Sequence, residues 1–501
     1  MAKHIPFAKQ KGLLIASIIS YQQVIRLSTV QRVAKNTGIV LAGDVIFRLI
    51  SLVVIIYLAR YLGTAGFGKY SFVFAYLAFF GVITNLGLQT ILVREMSRNT
   101  SPVPQLIGNA YIIRLILTIF AFVLSMVVIT LVSYPKDTTT YVYIAAFTLL
   151  FTSFSDFYVV IFQANLRMEY NIFAKLVFKV LSAALIFWII FSHGTLMQVI
   201  LALVFSEMVK TLISYSFSRK FVRPRFEIDF GLWKYLFKEA LPLALTSVIW
   251  IIYHRIDVIM LSFMLGDAEV GLYSAAYKLY EPFSLIPYAL MISLFPIMSA
   301  SFKSSKEKLI KSYRISFKYL VIITLPIVIG TTFIADKIIF LIYGAEFAGS
   351  ATALQILIWT LVFMSISNVL INLLVSINKQ KLHMISSGLC AIVNITLNFI
   401  LIPILNYNGA AIATVVTTAV LFTANFYFIS KHLHVLPIHK IIVKPVTSGL
   451  VMGAFIYYFI NINLFLLVPL SAAVYLVALL ALKIFSKEDI EIFKKIMQKK
   501  R

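Results

Sequence analysis

Charged side chains are scarce in this sequence: only 13% of its 501 residues are Asp, Glu, Lys or Arg, whereas 61% are hydrophobic. Soluble domains carry about 25% charged residues and about 45–50% apolar ones. With so few charges, a chain of this length cannot cover a surface that faces water. The composition therefore excludes a soluble globular protein and predicts an integral membrane protein, whose apolar side chains have lipid as their solvent.

The sequence also lacks the residues and motifs that most enzymatic and metal sites need. Its single cysteine, Cys390, lies inside a hydrophobic run, which excludes a disulfide framework and a cysteine-based metal site. There is no H-E-x-x-H motif and no P-loop, because the glycine-rich segment 63–68 joins two predicted membrane helices rather than a strand and a helix. A membrane-bound polymerase or ligase would need a large loop with clustered carboxylates, whereas the largest loop is short and basic. We expect no catalytic centre, no metal and no cofactor.

Acidic residues are the rarest charges, with 19 Asp and Glu against 44 Lys and Arg, and the formal net charge is +25. In a soluble protein this excess would suggest binding to nucleic acid. In a membrane protein the same excess is expected in the cytoplasmic loops. The positions of the basic residues decide between these two interpretations.

A helix needs about 20 mostly apolar residues to cross the hydrocarbon core of a bilayer, which is about 30 Å thick. About fourteen segments meet this requirement. They are residues 38–60, 70–92, 110–133, 141–163, 172–192, 196–217, 241–263, 274–298, 319–343, 352–377, 383–404, 409–430, 441–461 and 464–484.

The basic residues divide unequally between the two sides of these spans. Of the 44 Lys and Arg, 33 lie in the terminal segments and the alternate loops that share one side, three lie on the other side, and eight lie within spans. This asymmetry predicts that both termini are cytoplasmic, and it removes the need for a nucleic-acid partner. The short apolar stretch 12–21 is followed by no small-residue cleavage site, so we expect an interfacial segment rather than a removable signal peptide.

The chain also contains an internal repeat. LGTAGFGKYS at 62–71 and LGDAEVGLYS at 265–274 share six residues without a gap, at an offset of 203. Each copy links the first two spans of a six-helix block, which predicts two lobes of parallel orientation, an arrangement found in secondary transporters. The predicted organisation is a cytoplasmic segment 1–37, an N-lobe 38–217, a basic cytoplasmic linker 218–240, a C-lobe 241–430, an accessory helix pair 431–484 and a basic cytoplasmic tail 485–501.

Several stretches in this order resemble the polysaccharide-biosynthesis flippases. Those that carry the resemblance are ARYLGTAGFGKYS at 59–71, RID at 255–257, LGDAEVGLYSAAY at 265–277, YGAEF at 343–347, NITLN at 394–398, LIP at 401–403 and GAAIAT at 409–414. The similarity covers roughly residues 36–484. It implies the multidrug/oligosaccharidyl-lipid/polysaccharide exporter superfamily, whose members have two six-helix lobes around a central cavity, with the last two spans as an accessory pair.

Ionisable groups at bilayer depth are costly, by about 2.5–3.5 kcal/mol on insertion scales, so each one needs a partner or a function. The cations that we expect to contact a phosphate are Arg48, Lys179, Arg255 and Lys278. The groups that we expect to carry coupling protons or to pair with cations are Asp44, Asp156, Glu207, Asp257 and Glu281. Spacing on one helix predicts two pairs, Glu207 with Lys210 and Lys278 with Glu281.

Spacing also indicates which of the remaining charges share a helix face. Arg255 and Asp257 lie about 200° apart and face opposite ways, whereas His254 can share a face with Asp257. Asp44 and Arg48 lie one turn apart, so either they form a structural salt bridge or Arg48 contacts a phosphate.

The positions of three further charged residues allow simpler predictions. Arg114 lies near the cytoplasmic end of its span, where its side chain is expected to snorkel towards water. Asp156 has no cation on its own helix, so it must find one on another helix or stay protonated. Lys337 lies near the external interface, where a structural role is expected.

The resemblance implies a flippase that moves an isoprenoid diphosphate-linked oligosaccharide across a bacterial cytoplasmic membrane by alternating access, for O-antigen, capsule or exopolysaccharide assembly. Its partners would be the lipid-linked substrate, membrane lipids and polysaccharide assembly enzymes. Charge placement agrees, because a cavity lined by cations replaces the water that a diphosphate loses. The alternatives are a multidrug exporter of the same superfamily, which would favour carboxylates and aromatics, and a peptidoglycan lipid-precursor flippase. A membrane-bound polymerase or ligase is a more distant alternative.

Overall fold

The structure is a computed structural model that describes residues 7–98, 102–132 and 134–484. Side chains are described from Gly43 onward, apart from those of Ser293 and Lys303. The first six residues and the predicted tail 485–501 lie outside these ranges, as do the side chains of the predicted interfacial stretch 12–21. The cytoplasmic location of the two termini therefore stays a prediction.

The described residues form α-helices joined by short turns and contain no β-strand. In chain order the helices are α1 (Phe7–Asn85), α2 (Leu88–Arg98), α3 (Val103–Leu131), α4 (Lys136–Ala145), α5 (Phe147–Ala164), α6 (Glu169–Phe191), α7 (Leu196–Ser218), α8 (Phe230–Met264), α9 (Asp267–Tyr280), α10 (Leu285–Ser304), α11 (Lys306–Tyr343), α12 (Ser350–Leu357), α13 (Thr360–Ser376), α14 (Gln380–His432), α15 (Ile438–Tyr458) and α16 (Leu464–Ala481). Helices are the expected solution because hydrocarbon offers no hydrogen-bond partner, so each span must satisfy its own backbone groups. The predicted all-α fold is confirmed.

Within the described ranges, eleven helical stretches are long and apolar enough to cross a membrane, or twelve if the bent pair 267–292 and 294–302 is one span. Two of the eleven each cover two predicted spans, because α1 is broken at Gly63 and α14 at Asn406. Both residues have positive φ, which reverses the chain between two helices. The exact number of fourteen spans stays a prediction.

Large apolar side chains are exposed along these helices. Phe191, Tyr458 and Phe465 have exposed fractions of 79%, 80% and 75%. A soluble protein does not expose apolar surface on this scale, whereas lipid is a good solvent for it. The exposed residues thus agree with a multi-pass membrane protein.

The chain packs as two compact units, which we describe separately. Unit 1 contains residues 1–54 and 80–244, and unit 2 contains residues 55–79 and 245–501. The division near residue 244 lies close to the predicted start of the C-lobe at residue 241. Segment 55–79 differs, because we predict it as part of the N-lobe and it packs within unit 2.

The core of unit 1 forms around the short helix α2. Leu88, Ile91 and Leu92 follow helical spacing on its buried face, and they pack with residues of α3 and α5. Leu236, from the first turns of α8, completes the same apolar cluster. This packing attaches the start of α8 to unit 1.

The core of unit 2 forms around the long helix α11. Phe317 and Leu320 are fully buried in a cluster that also takes in α10, α13, α15 and α16. The predicted accessory pair, α15 and α16, packs on α11. Lys337 of α11 donates hydrogen bonds to the backbone carbonyls of Ile460 and Ile462, between the two accessory helices. Lys337 therefore has the structural role that its position predicts.

The two copies of the internal repeat contact each other within unit 2. A Cβ atom on Gly68 would lie 1.7 Å from the carbonyl oxygen of Asp267, and one on Gly271 would lie 1.9 Å from that of Thr64. The offset of 203 relates Gly68 to Gly271 and Thr64 to Asp267, so the contact is reciprocal. No side chain fits at this separation, which explains why both copies have glycine at this position.

Further contacts of the repeat explain why segment 55–79 belongs to unit 2. The guanidinium group of Arg60 donates to the carbonyls of Leu341 at 2.5 Å and Ile342 at 2.6 Å, in the last turn of α11. These carbonyls have no partner inside the helix, so a cation there also offsets the helix dipole. The backbone N–H of Thr64 donates to Oε1 of Glu346 at 2.7 Å. Arg60 and Glu346 thus tie the first repeat loop to the end of α11.

Candidate functional site

The predicted charges of unit 2 form a cluster of two cations and one carboxylate, which we call the unit 2 charge cluster: Arg255, Lys278 and Glu281. Nζ of Lys278 donates to Oε2 of Glu281 at 2.9 Å, so the predicted pair is present. The other carboxylate oxygen of Glu281 lies 4.0 Å from Nη2 of Arg255. Among these three groups, positive charge exceeds negative charge by one.

Lys278 and Glu281 of this cluster lie at the end of α9, and the local sequence explains why the helix ends there. Pro282 stands in the short 3₁₀ turn Glu281–Ser284, where its missing N–H ends the regular helix. The side chains of Arg255, Lys278 and Glu281 are 28%, 30% and 40% exposed. The cluster is therefore open enough for a polar ligand to reach its N–H groups.

Aromatic rings support the Arg255 side chain. Its guanidinium carbon lies 5.7 Å above the ring of Tyr277, which is a cation–π arrangement. Tyr277 in turn packs edge-on against Tyr280, with ring centroids 5.6 Å apart. Tyr277 was not among the predicted site residues, although it ends the 265–277 stretch that carries the family resemblance. This contact supports the guanidinium group of Arg255 with an aromatic ring.

Asp257 lies on the opposite face of α8, as its spacing from Arg255 predicts. It is 3% exposed, and its side chain accepts two hydrogen bonds, one from the hydroxyl of Tyr273 and one from the backbone N–H of Val258 at 2.8 Å. The Tyr273 hydroxyl also lies 3.3 Å from Oγ1 of Thr414. A carboxylate on α8 thus connects to α14 through one tyrosine.

The buried face of α14 continues this polar region along the helix. Oγ1 of Thr418 lies 2.8 Å from the hydroxyl of Tyr253, and Nδ2 of Asn394 donates to Oγ1 of Thr417 at 3.3 Å. Nδ2 of Asn398 donates to Oδ1 of Asn394 at 3.0 Å. Buried polar groups in a membrane helix need such partners. These contacts explain the two asparagines of the stretch 394–398.

The predicted charges of unit 1 form a second cluster around the ring of Phe178, which we call the unit 1 charge cluster: Lys179, Glu207 and Lys210. Nζ of Lys179 lies 5.4 Å from the ring centre, and Nζ of Lys210 lies 5.0 Å from it. Lys210 pairs with Glu207 at 2.5 Å, as predicted, and Lys179 donates to Oγ of Ser51 at 2.7 Å. Because the side chains of Lys210 and Glu207 are only 10% and 13% exposed, this pair is largely sealed.

The prediction that Arg114 snorkels towards water is wrong. Its side chain is 1% exposed, and Nε donates to Oγ of Ser153 at 3.0 Å. Asp156, one turn further along α5, acts electrostatically on the same guanidinium group. Arg114 lies eleven residues into α3, about 16 Å along the axis, where these α5 side chains are nearer than water. Arg114 is thus a cation on a neighbouring helix that interacts electrostatically with Asp156, which its position near the end of its span does not predict.

The remaining predicted residues are Asp44, Arg48 and His254. On α1, Asp44 is half-buried and Arg48 is exposed, so both interpretations of Arg48 stay predictions. His254 stacks on Trp250 at 4.2 Å between ring centres, and its Nδ1 lies 2.9 Å from the carbonyl oxygen of Trp250. It therefore packs along its own helix rather than with Asp257. Among the described residues, no three His, Cys, Asp or Glu side chains are grouped so as to hold a metal ion.

Two protein-family models match this chain. Residues 33–302 match the family model described as "Polysaccharide biosynthesis protein", and residues 242–400 match the MatE family model. The first match covers more than half of the chain. It begins in α1 and ends in α10, so it includes both charge clusters and both copies of the repeat.

Curated relatives include flippases. The chain is 22% identical over 418 residues to the "Probable low-salt glycan biosynthesis flippase Agl15" of Haloferax volcanii, a match that spans 81% of this chain and 85% of that protein. It is 26% identical over 167 residues to the "Lipid II flippase MurJ" of Bacillus subtilis, across 32% of this chain and 30% of that protein. These relatives are transport proteins and not enzymes.

Solved structures share the fold. The chain superimposes on a lipid II flippase MurJ in an inward closed conformation with a TM-score of 0.74 and 15% identity, over 91% of this chain and 98% of that chain. For an inward-facing multidrug resistance MATE family transporter the TM-score is 0.68 at 15% identity, over 77% and 94% of the two chains. On the strength of the family model that spans residues 33–302, this multi-pass membrane protein belongs to the polysaccharide biosynthesis protein family of the multidrug/oligosaccharidyl-lipid/polysaccharide exporter superfamily.

Proposed function

We propose that this protein flips an isoprenoid diphosphate-linked oligosaccharide across the cytoplasmic membrane of a bacterium, by alternating access, for the assembly of a surface polysaccharide. Both termini would lie in the cytoplasm, as the distribution of Lys and Arg predicts. The glycan biosynthesis flippase among the relatives supports this substrate class.

The observation that carries the proposal is the unit 2 charge cluster. A diphosphate cannot enter hydrocarbon without a replacement for its water. Arg255 and Lys278 provide N–H donors at bilayer depth, and one carboxylate, Glu281, is too few to neutralise both. The guanidinium of Arg255 offers the fork of donors that suits phosphate oxygens. Excess positive charge with partial exposure is what an anionic head group requires.

The other predicted cations have supporting roles in this proposal. Lys179 of unit 1, which donates to the hydroxyl of Ser51, is proposed as a further phosphate contact. Arg48, which is exposed on α1, is proposed as a further contact for the head group. Asp156, Glu207, Asp257 and Glu281 are the carboxylates from which coupling protons would move. The polysaccharide assembly enzymes are proposed partners that would receive the flipped substrate.

The MatE match over residues 242–400 and the MATE transporter fold favour one competing function, export of cationic drugs. A pocket for cations should carry more carboxylates than basic groups. Each charge cluster instead has two basic side chains for one carboxylate. The charges therefore favour an anionic substrate over a cationic one.

Transport by the purified, full-length protein in proteoliposomes tests the proposal. We expect translocation of a fluorescent polyprenyl diphosphate saccharide, measured by its accessibility to a membrane-impermeant reagent, and no uptake of the cation ethidium. Lipid-linked peptidoglycan precursor, assayed in parallel, tests the second alternative. Transport of ethidium alone, or of the peptidoglycan precursor alone, would contradict the proposed function.

A further inference from the structure

The chain between α7 and the membrane part of α8 carries an exposed face that the proposed function does not use. Residues 219–240 contain six Lys and Arg but only three Asp and Glu. This segment belongs to unit 1 throughout. Its hydrogen bonds decide which of its charges remain available to a ligand.

Backbone contacts hold the segment against α3. The N–H of Arg225 donates to the carbonyl of Pro104 at 2.9 Å. Oδ1 of Asn109 accepts two hydrogen bonds, from the backbone N–H of Asp229 at 2.9 Å and from Nε1 of Trp233 at 2.8 Å. The segment is therefore fixed to unit 1 and presents a defined outer face.

The acidic residues of the segment have partners inside it or on α2. Oδ1 of Asp229 accepts the N–H of Leu232 at 3.0 Å, which caps the start of α8. Glu239 pairs with Arg94 of α2 at 2.9 Å, and Glu227 pairs with Arg225 at 2.6 Å. The carboxylates are thus engaged, while several cations point outward.

We call the outward stripe of α8 the α8 face: Phe230, Lys234, Phe237, Lys238 and Leu241. On an α-helix these five residues fall within a sector of about 100°. Phe230, Phe237 and Leu241 are 73%, 38% and 60% exposed, and both lysines are exposed as well. Neither lysine forms an ion pair with any residue that the structure describes. Apolar side chains and ammonium groups without an ion pair therefore alternate along the α8 face.

This alternation of apolar and basic side chains suits a membrane surface better than it suits water or hydrocarbon alone. Water does not favour a row of exposed Phe and Leu, and hydrocarbon does not favour Lys, whereas the headgroup layer accepts both. Helix α8 has 35 residues, which is about 52 Å, against a hydrocarbon thickness of about 30 Å. Its predicted span begins at residue 241, so the first three turns lie at the boundary between lipid and water.

We propose that the α8 face binds the headgroups of anionic phospholipids in the membrane that the protein spans. Each ammonium group would contact a phosphate, and Phe230, Phe237 and Leu241 would lie among the upper acyl chains. An acidic protein partner is less suited, because the same stripe would bury its apolar residues against a charged surface. This inference does not depend on the transported substrate.

The test is a lipid titration of the purified full-length protein in detergent, followed by native mass spectrometry. The probes are phosphatidylglycerol and, as the neutral lipid, phosphatidylcholine. The variant is Lys234→Gln with Lys238→Gln. The matched control is Lys306→Gln with Lys308→Gln, which removes the same charge from exposed lysines at the start of α11. Equal unfolding midpoints would show that all three proteins are folded.

A surface-bound lysine contributes up to about fivefold to the affinity for an anionic lipid. We expect the affinity for the first phosphatidylglycerol to fall by about an order of magnitude in the Lys234/Lys238 variant and to stay within about twofold in the control. Phosphatidylcholine binding should not change. Equal losses in variant and control, or no loss in either, would overturn the proposal. Loss of poly-glutamate binding with unchanged phosphatidylglycerol binding would overturn it in favour of an acidic protein partner.

Discussion

The two units each hold a cluster of two cations and one carboxylate, yet they expose these groups to very different degrees. In unit 1, Glu207 and Lys210 are 13% and 10% exposed. In unit 2, Glu281, Lys278 and Arg255 are 40%, 30% and 28% exposed. The carboxylate and the lysine paired with it are thus sealed in unit 1 and open in unit 2.

This difference separates a charge pair that supports the fold from one that can exchange partners. A sealed pair gains little from new ligands and suffers greatly when one member is removed. An open cluster can replace part of its internal pairing with a ligand, because its N–H groups are partly exposed. We therefore propose that substrate recognition lies mainly with unit 2 and that the Glu207–Lys210 pair mainly supports the helix packing.

The largest effect should come from breaking the sealed pair. Glu207→Gln leaves the ammonium group of Lys210 buried without its carboxylate, so we expect a loss of about 3–5 kcal/mol of stability. The measurement is the unfolding midpoint of the purified protein. Adding Lys210→Met should recover most of the loss, because the unpaired charge is then gone. An unchanged unfolding midpoint in the Glu207→Gln variant would show that the Glu207–Lys210 pair is open rather than sealed.

A smaller effect on folding, but a clear one on transport, should follow from changes in the open cluster. Arg255→Ala removes a charge-assisted contact worth about 1.5–3 kcal/mol, so we expect transport of the lipid-linked saccharide to fall by about 10–100-fold. Arg255→Lys should recover only part of this loss, because the fork of donors and the stacking on Tyr277 are missing. Full recovery by lysine would show that charge alone matters, and unchanged transport in the alanine variant would remove Arg255 from the site.

The smallest expected effect concerns Asp257, which is sealed although it belongs to unit 2. Asp257→Asn keeps one oxygen to accept the N–H of Val258, and its amide N–H can donate to the hydroxyl of Tyr273, so the unfolding midpoint should change little. If Asp257 carries a coupling proton, turnover driven by a proton gradient should fall by at least about tenfold, because the amide of Asn cannot take up and release the proton. Proteoliposomes with an imposed pH gradient provide the measurement. Gradient-dependent transport at the normal rate would exclude this carboxylate as the proton carrier.

Hydrophobic run length, the family motifs and the short-range charge pairs could be read from the sequence. The pairs Glu207–Lys210 and Lys278–Glu281 lie within one turn of each other, so their contact depends on local geometry alone. The same holds for the opposite facing of Arg255 and Asp257. Such features need no knowledge of which helices are neighbours.

Contacts between distant segments could not be predicted in this way. Arg114 was expected to reach water because only its depth was considered, whereas Ser153 on α5 holds it inside. The packing of segment 55–79 within unit 2 depends on the approach of Gly68 to Asp267, about two hundred positions further along the chain. The repeat indicated that these two loops are equivalent, but not that they touch.

The central claim is that the open cluster of unit 2 recognises the diphosphate, and a binding measurement tests it most directly. The affinity of the purified full-length protein for a polyprenyl diphosphate saccharide would be compared with that of Arg255→Gln plus Lys278→Gln. The control is Lys306→Gln plus Lys308→Gln, with the same change in net charge. We predict that the Arg255/Lys278 variant binds at least about tenfold more weakly, while the control binds like the unaltered protein. Equal affinity of all three proteins for the lipid-linked saccharide would contradict the account.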